Sequence, residues 1–290
     1  MTGEYRVRTE WDDDLFDGDP DTLYHTLDSL SASDGTGVAI RPVGDDGSFA
    51  EAVVSEDGSF LVRFKDRDAG PVEEVMGVDI LAAHQALMSY ARSDGGWTAT
   101  FRNLEGSFGS VGVTSEVDYR TTGLSIATAL IDSTNRRRRL GMRQAVPPTI
   151  SWGPHTVMAG DLWTGLPVTG RVTIRITSYN GVREGGVAVN APGGSLRAVG
   201  ETAASEVIVW PSPESREFVV EFDSPSGVLG VCNVYVSAGH NWSRIDRWSE
   251  NAGMTREVHS DYERSYDCNH ALSDPPTFRD LSFIMSVEPA

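Results

Sequence analysis

The sequence predicts an α+β N-terminal domain followed by a mostly antiparallel β-sandwich or jelly-roll domain. Three observations predict it. The chain has 290 residues, about twice the length of a typical domain. Residues 1–105 mix two helix signals with short apolar runs separated by acid-glycine turns. Residues 146–290 are alternating or compactly apolar runs, divided by Gly, Pro and Asn turns at a spacing of roughly ten residues. Hydrophobic residues make up 39% of the chain and charged residues 23%, a balance that supports a sizeable core. The 30 glycines and 14 prolines favour turns and short strands over a helical bundle.

The elements follow in order. Asp19-Pro20 starts a helix, with Asp as the N-cap and Pro in the first turn. Leu23, Leu27 and Leu30 then share one helical face. Gly35-Thr36-Gly37 breaks the chain. Strands are expected over 38–42, 49–55 and 59–64, with Asp45-Asp46-Gly47 and Glu56-Asp57-Gly58 as hairpin turns. Asp79 caps a second helix whose inner face carries Ile80, Ala83, Leu87 and Ala91, and Asp94-Gly95-Gly96 stops it. Residues 97–102 (WTATFR) alternate and close the domain as a strand. Residues 106–145 read as a linker with a short helix over 124–131. The basic run Arg136-Arg137-Arg138-Arg139 within it lacks interleaved aromatics, so it reads as a solvated linker or a strap on the acidic domain rather than a nucleic-acid site. In residues 146–290, strands are expected over 171–177, 187–189, 206–210, 217–223, 228–236 and 278–287.

Charge divides the chain. Of 42 acids and 24 bases, residues 1–100 hold 21 acids and 7 bases, whereas 101–290 hold 21 acids and 17 bases. A field this negative repels nucleic-acid phosphates and anionic headgroups, so direct nucleic-acid or membrane binding is not expected, and a basic protein is the natural partner. No run approaches the roughly 18 apolar residues of a membrane span. The first residues show no basic-then-apolar signal pattern. Two cysteines, Cys232 and Cys268, are too few for a disulfide framework. The cytoplasm is the expected address.

A catalytic centre is not expected. The chain carries no nucleophile elbow, phosphate loop, dinucleotide fingerprint or HExxH helix, and no cofactor is expected. The most unusual stretch is acidic: Trp11, Asp12, Asp13, Asp14, Leu15, Phe16, Asp17, Gly18, Asp19, Pro20 and Asp21. Aromatic residues supply anchor area there, and carboxylates steer and pair with Arg or Lys of a partner. The partner-binding set is therefore Trp11, Asp12, Asp13, Asp14, Phe16, Asp17, Asp19 and Asp21. A solvated loop leading into a capped helix is the plainer alternative. Near the C-terminus, Asp267, Asn269, Asp274 and Asp280 cluster oxygen donors before the final strand. The stretch resembles a closing motif of some bacterial calcium-binding β-sandwich domains. Pro276 and Arg279 stand where further acids would be expected, so a structural turn is expected rather than a metal site.

Residues 20–103 resemble the deaminase-associated immunity protein family of bacterial polymorphic toxin systems. The matching features are the helix Leu27-Asp28-Ser29-Leu30, the meander with Phe60-Leu61-Val62-Arg63-Phe64, and a closing helix and strand through Ala86-Leu87-Met88-Ser89-Tyr90-Ala91 and Gly95-Gly96-Trp97-Thr98-Ala99-Thr100-Phe101. The resemblance implies a non-enzymatic inhibitor that binds a cognate toxin. It leaves residues 106–290 unassigned. Two alternatives stand beside it. One is a carbohydrate- or ligand-binding β-sandwich that uses Trp152, Trp163, Trp210, Trp242 and Trp248 for stacking. The other is a hydrolase acting through Glu217, Glu221 and Asp223, which share a strand face.

Overall fold

The computed structural model describes residues 5–9, 13–30, 37–44, 47–65, 71–92, 117–139, 141, 147–180, 185–239 and 242–290. The chain forms two compact units, Met1–Glu116 with Thr122–Leu124, and Val117–Thr121 with Ser125–Ala290. Both are built mostly of antiparallel β-sheet, with three α-helices among the described residues.

The first unit contains β1 (Tyr5–Arg8), β2 (Asp13–Phe16), α1 (Pro20–Ser29), β3 (Gly37–Pro42), β4 (Phe49–Val54), β5 (Phe60–Lys65), β6 (Glu73–Val78) and α2 (Ile80–Ala91). The strands form one sheet in the order β2-β1-β3-β4-β5-β6. Alternation decides its faces. Val38, Ala52 and Val62 stand in one cross-strand row, and Ile40, Ala50 and Phe64 in the next; all six are buried. The two alanines on β4 leave room for α2 to pack closely over it. The opposite face holds Glu51, Arg63 and Glu74, with Arg63 3.8 Å from Glu51 and 3.5 Å from Glu74. Both helices start where the sequence places them. Asp19 accepts from the Thr22 N–H at 3.0 Å, and Asp79 from the Ala82 N–H at 2.8 Å. His84, inside α2, is a packed residue: it is fully buried and its Nε2 lies 3.0 Å from the Pro20 carbonyl oxygen. The expected strand over 97–102 lies outside the described residues.

The second unit has a 3-10 turn at Tyr119–Thr121, then α3 (Ile126–Arg139), β7 (Thr149–Trp152), β8 (His155–Met158), β9 (Asp161–Trp163), β10 (Thr169–Tyr179), β11 (Gly185–Asn190) and β12 (Ser195–Ala198). It continues with β13 (Glu206–Val209), β14 (Glu217–Asp223), β15 (Leu229–Gly239), β16 (Trp242–Asp246), β17 (Gly253–Ser260), β18 (Glu263–Asn269) and β19 (Leu281–Pro289). One sheet runs β12-β14-β10-β19-β18-β17-β8-β7 and the other β13-β11-β15-β16, with β9 beside β15. Val172, Ile174 and Ile176 on β10, Phe283, Met285 and Val287 on β19, and Val187, Val189, Leu229 and Val231 from the other sheet belong to one buried cluster.

The helix expected over 124–131 starts at Ile126 and runs on to Arg139. Its extra turns take in the four arginines, because arginine is a good helix former and no Gly or Pro intervenes before residue 140. This part of the expected linker is thus a helix of the second unit; residues 106–116 and 142–146 lie outside the described residues. Among the described residues no helix is long and apolar enough to cross a membrane.

Candidate functional site

The acidic stretch falls on an edge strand and a helix start. β2 is the outermost strand of its sheet, and Asp13 stands opposite Arg8 and Asp14 opposite Val7. The chain then turns into α1. Asp17 accepts the Asp19 N–H at 2.9 Å, and Asp19 accepts from the N–H and hydroxyl of Thr22 and from the Asp21 N–H. Partial burial pushes the Asp19 carboxyl up, but these hydrogen bonds and nearby His25 outweigh it and hold it below its ordinary value. Asp17 and Asp19 are exposed, and Phe16 and Asp21 half-buried. Asp17 and Asp19 therefore shape the helix entry as well as carrying charge. Trp11 and Asp12 lie outside the described residues.

The C-terminal oxygen donors serve a loop. Asn269 is fully buried. Its amide nitrogen faces the carbonyls of Asn251, His270 and Ser273 at 2.9, 3.0 and 3.1 Å, and its oxygen accepts the Thr277 N–H at 3.0 Å. Asp280 accepts from the His270 N–H at 2.8 Å, the Ser273 hydroxyl at 2.6 Å and the Asn180 amide. Asp267 accepts the Ser282 hydroxyl at 2.6 Å, and Asp274 is exposed. Asn269 and Asp280 thus bind the loop 270–280 to itself. Among the described residues no three His, Cys, Asp or Glu side chains are grouped to hold a metal.

Glu217, Glu221 and Asp223 do share the exposed face of β14, where arginines oppose the two glutamates and Thr169 and Ser195 flank Asp223. Glu221 stands between Arg197 and Arg171, Arg171 is next to Glu288, and Glu217 faces Arg175. The row Arg197–Glu221–Arg171–Glu288 alternates in sign across four strands, a solvated, charge-paired surface. Of the tryptophans, Trp152 and Trp163 are buried, and Trp210 packs on the cluster of Ala188, Cys232 and Val234. The Trp242 side chain lies outside the described residues. Trp248 is 56% exposed.

Two features carry no signal in the linear pattern. The first is Asp161, whose side chain is fully buried. Arg256 and Arg264 each reach it at 2.7 Å, and the Tyr266 hydroxyl donates to it at 2.8 Å. Trp163 Nε1 donates to Tyr266 at 2.8 Å, and the Arg264 guanidinium lies 4.1 Å from the centre of the Trp163 ring. Burial, then the Asp161 charge, push the Tyr266 hydroxyl far above its ordinary range. Arg256, Arg264 and Tyr266 sit on β17 and β18, about 100 residues from their acceptor, so no local spacing announces them.

The second is a groove on α3 of about 420 Å³. Its floor is Ala127, Leu130, Ile131, Thr134 and Asn135, the one-face spacing of a helix. Pro148, Ala159, Ala252 and Trp248 form the walls. The loop 247–252 both builds this wall and caps the helix: the Glu250 carbonyl accepts the Ala127 N–H at 2.9 Å, and the Asn251 side chain accepts the Ile126 N–H at 3.4 Å. Trp248 and Glu250 both have left-handed backbones, with φ of 61° and 48°, strain that surrounding bonds must hold. Those bonds include Tyr235 to Ser249 and the Asn251 N–H to the Ala271 carbonyl. The Arg247 guanidinium lies 5.7 Å from the centre of the Trp248 ring and is paired with Glu206 at 2.8 Å.

No family model, curated protein or solved structure matches the chain.

Proposed function

We propose that the chain is a non-enzymatic immunity or antitoxin-like protein that binds and neutralises a basic, nucleic-acid-targeting toxin domain in the cytoplasm. The acidic segment is its docking surface, and the second unit is an accessory β-sandwich or jelly roll. One observation carries the proposal: Asp13 and Asp14 stand on β2, the edge strand of the sheet among the described residues, and the exposed Asp17 and Asp19 follow it, in a region with three acids for every base. Charge on an edge strand disfavours strand-on-strand aggregation, and the exposed Asp17 and Asp19 present phosphate-like charge to a basic cleft. Long-range attraction then raises the association rate, while apolar anchors such as Trp11 and Phe16 set dissociation.

The test is association kinetics with a basic nuclease or deaminase domain encoded beside this chain. Between 50 and 500 mM salt the Debye length shrinks from roughly 14 Å to roughly 4 Å, and the association rate is expected to fall steeply. Replacing Asp12, Asp13, Asp14 and Asp17 together by Asn keeps size and removes four charges. The variant is expected to fold and to associate at least about tenfold more slowly at low salt. Equal rates for parent and variant would refute the docking surface, and absence of binding would refute the proposal as a whole.

A further inference from the structure

The groove on α3 has a chemistry of its own, and it belongs to the second unit, whereas the acidic segment belongs to the first. Its floor and walls are almost wholly apolar. Two of its large side chains, Trp248 and Ile131, are 56% and 44% exposed. Single exposed apolar residues are ordinary. Two that face one cavity, beside a loop holding two left-handed non-glycine residues, are a pattern that stability alone does not favour. A volume of about 420 Å³ falls within the range of small-molecule sites, roughly 300–1,000 Å³.

The floor continues into charge. The helical series 127, 130, 131, 134, 135 is extended at its next positions by Arg138 and Arg139, both exposed. Arg136 and Arg137 stand beside them in the same last turn. A helix C-terminus carries about half an elementary negative charge; Arg136 is paired with Asp132 at 3.7 Å, and Arg137 with the exposed Arg138 outweighs that half charge and leaves this end of the groove positive within an acidic protein. At about 1.5 Å of rise per residue, Arg138 lies roughly 10 Å along the axis from Ile131, within reach of a medium-length chain whose tail lies against Leu130 and Trp248.

We propose that this groove binds an amphipathic carboxylate, its apolar tail held by Leu130, Ile131 and Trp248 and its charged head by Arg138. The tail loses water against an apolar floor, and the head gains a charge-assisted hydrogen bond from a guanidinium. The strained loop keeps the wall formed before the ligand arrives, so little ordering remains to be done on binding.

The probes are octanoate and 1-octanol, titrated into the full chain by calorimetry and by tryptophan fluorescence, with Trp248→Phe identifying the responding ring. Octanoate is expected to bind saturably and about tenfold more tightly than 1-octanol at low salt. Arg138→Gln, an exposed change, is expected to remove that preference and leave 1-octanol binding unchanged. Ile131→Trp fills the groove and is expected to abolish binding of both, with circular dichroism confirming the fold. Equal affinity of the two probes in the parent would overturn the assignment of the charged head. Octanoate binding that survives Ile131→Trp, or no saturable binding at all, would overturn the site.

Discussion

Asp161→Asn tests the buried charge network most directly. The substitution keeps the size of the side chain and removes its charge. Asp161 now satisfies four donors: two arginines, a tyrosine and the Leu162 N–H. An amide offers one oxygen to that set, and its NH₂ group faces donors. Arg264, with a side chain only 14% exposed, then holds a positive charge with little access to water. Breaking a buried pair in this way costs about 3–5 kcal/mol. Arg256 is 35% exposed and turns toward solvent, so its share is about 1 kcal/mol or less. The expected loss is about 3–4 kcal/mol from the second unit. With a urea slope of about 2 kcal/mol/M, the midpoint falls by roughly 1.5–2 M. The assay is urea unfolding followed by tryptophan fluorescence, for which Trp152 and Trp163 are buried reporters. Arg256→Gln is the control, with an expected shift of about 0.5 M or less. Replacing the pair together, Asp161→Leu with Arg264→Met, is expected to recover at least half of the loss, because it leaves no buried charge between those two positions. A midpoint shift for Asp161→Asn below about 0.5 M at unchanged slope would refute the reasoning, since it would mean that water already solvates the network.

Three further outcomes follow from local geometry. Asp19→Ala is expected to cost about 1 kcal/mol and Asp19→Asn much less, since Asn caps as well as Asp. The depressed carboxyl means that Asp19 contributes stability above its ordinary value of 3.8 and loses it as pH falls through its lower folded value; acid titration of Asp19→Asn is expected to lack that component. Glu250→Gly is expected to leave the cap on α3 intact, because the Ala127 N–H bonds to the residue 250 carbonyl, and to stabilise the second unit by up to about 1 kcal/mol in thermal unfolding; a loss of stability would show that the Glu250 side chain matters more than its backbone strain. Burial pushes the Cys232 thiol up to about 11 and the Cys268 thiol well above its usual range, so neither is expected to react with a thiol reagent at pH 8 until denaturant is added.

What the sequence made legible was short-range. Asp19-Pro20 and Asp79 placed both N-terminal helices, because a cap acts on N–H groups two or three residues away. The strongly alternating runs 171–177 and Glu217–Asp223 placed β10 and β14, because one face of each is buried. β17 and β18 were missed for the converse reason. Glu257, Val258, His259 and Ser260 are exposed in succession, so alternation disappears although the backbone pairs with β18 throughout except for a register shift between Val258 and Ser260. β1 and β2 were missed because each is four residues long and half charged, YRVR and DDLF, which looks like loop. The C-terminal oxygens were noticed, but which donors they would meet depended on loop carbonyls and N–H groups with no signature in residue type. The groove was invisible for a similar reason: the cap of α3 comes from Glu250 and Asn251, some 125 residues beyond the helix start.

The two units differ in how they use their charge. In the second, pairing is the rule: Glu221 lies between two arginines, Glu217 faces Arg175, Glu206 meets Arg247, Asp246 meets Arg244, and Asp161 holds Arg256 and Arg264. Alternating signs cancel within a few ångströms, and at physiological salt little field survives beyond about 8 Å. Residues 1–100 have no such option. With 21 acids and 7 bases, even complete pairing would leave two-thirds of the acids uncompensated, and two of the acids, Glu51 and Glu74, already share Arg63. That excess is unfavourable for the compact state, because like charges repel. Solubility alone needs far less, since a net charge of magnitude about 2–8 suffices for a small domain. The surplus is the part of the charge that the proposed basic partner would relieve. Binding of the proposed partner is therefore expected to stabilise the first unit, and its melting temperature is expected to rise with partner concentration.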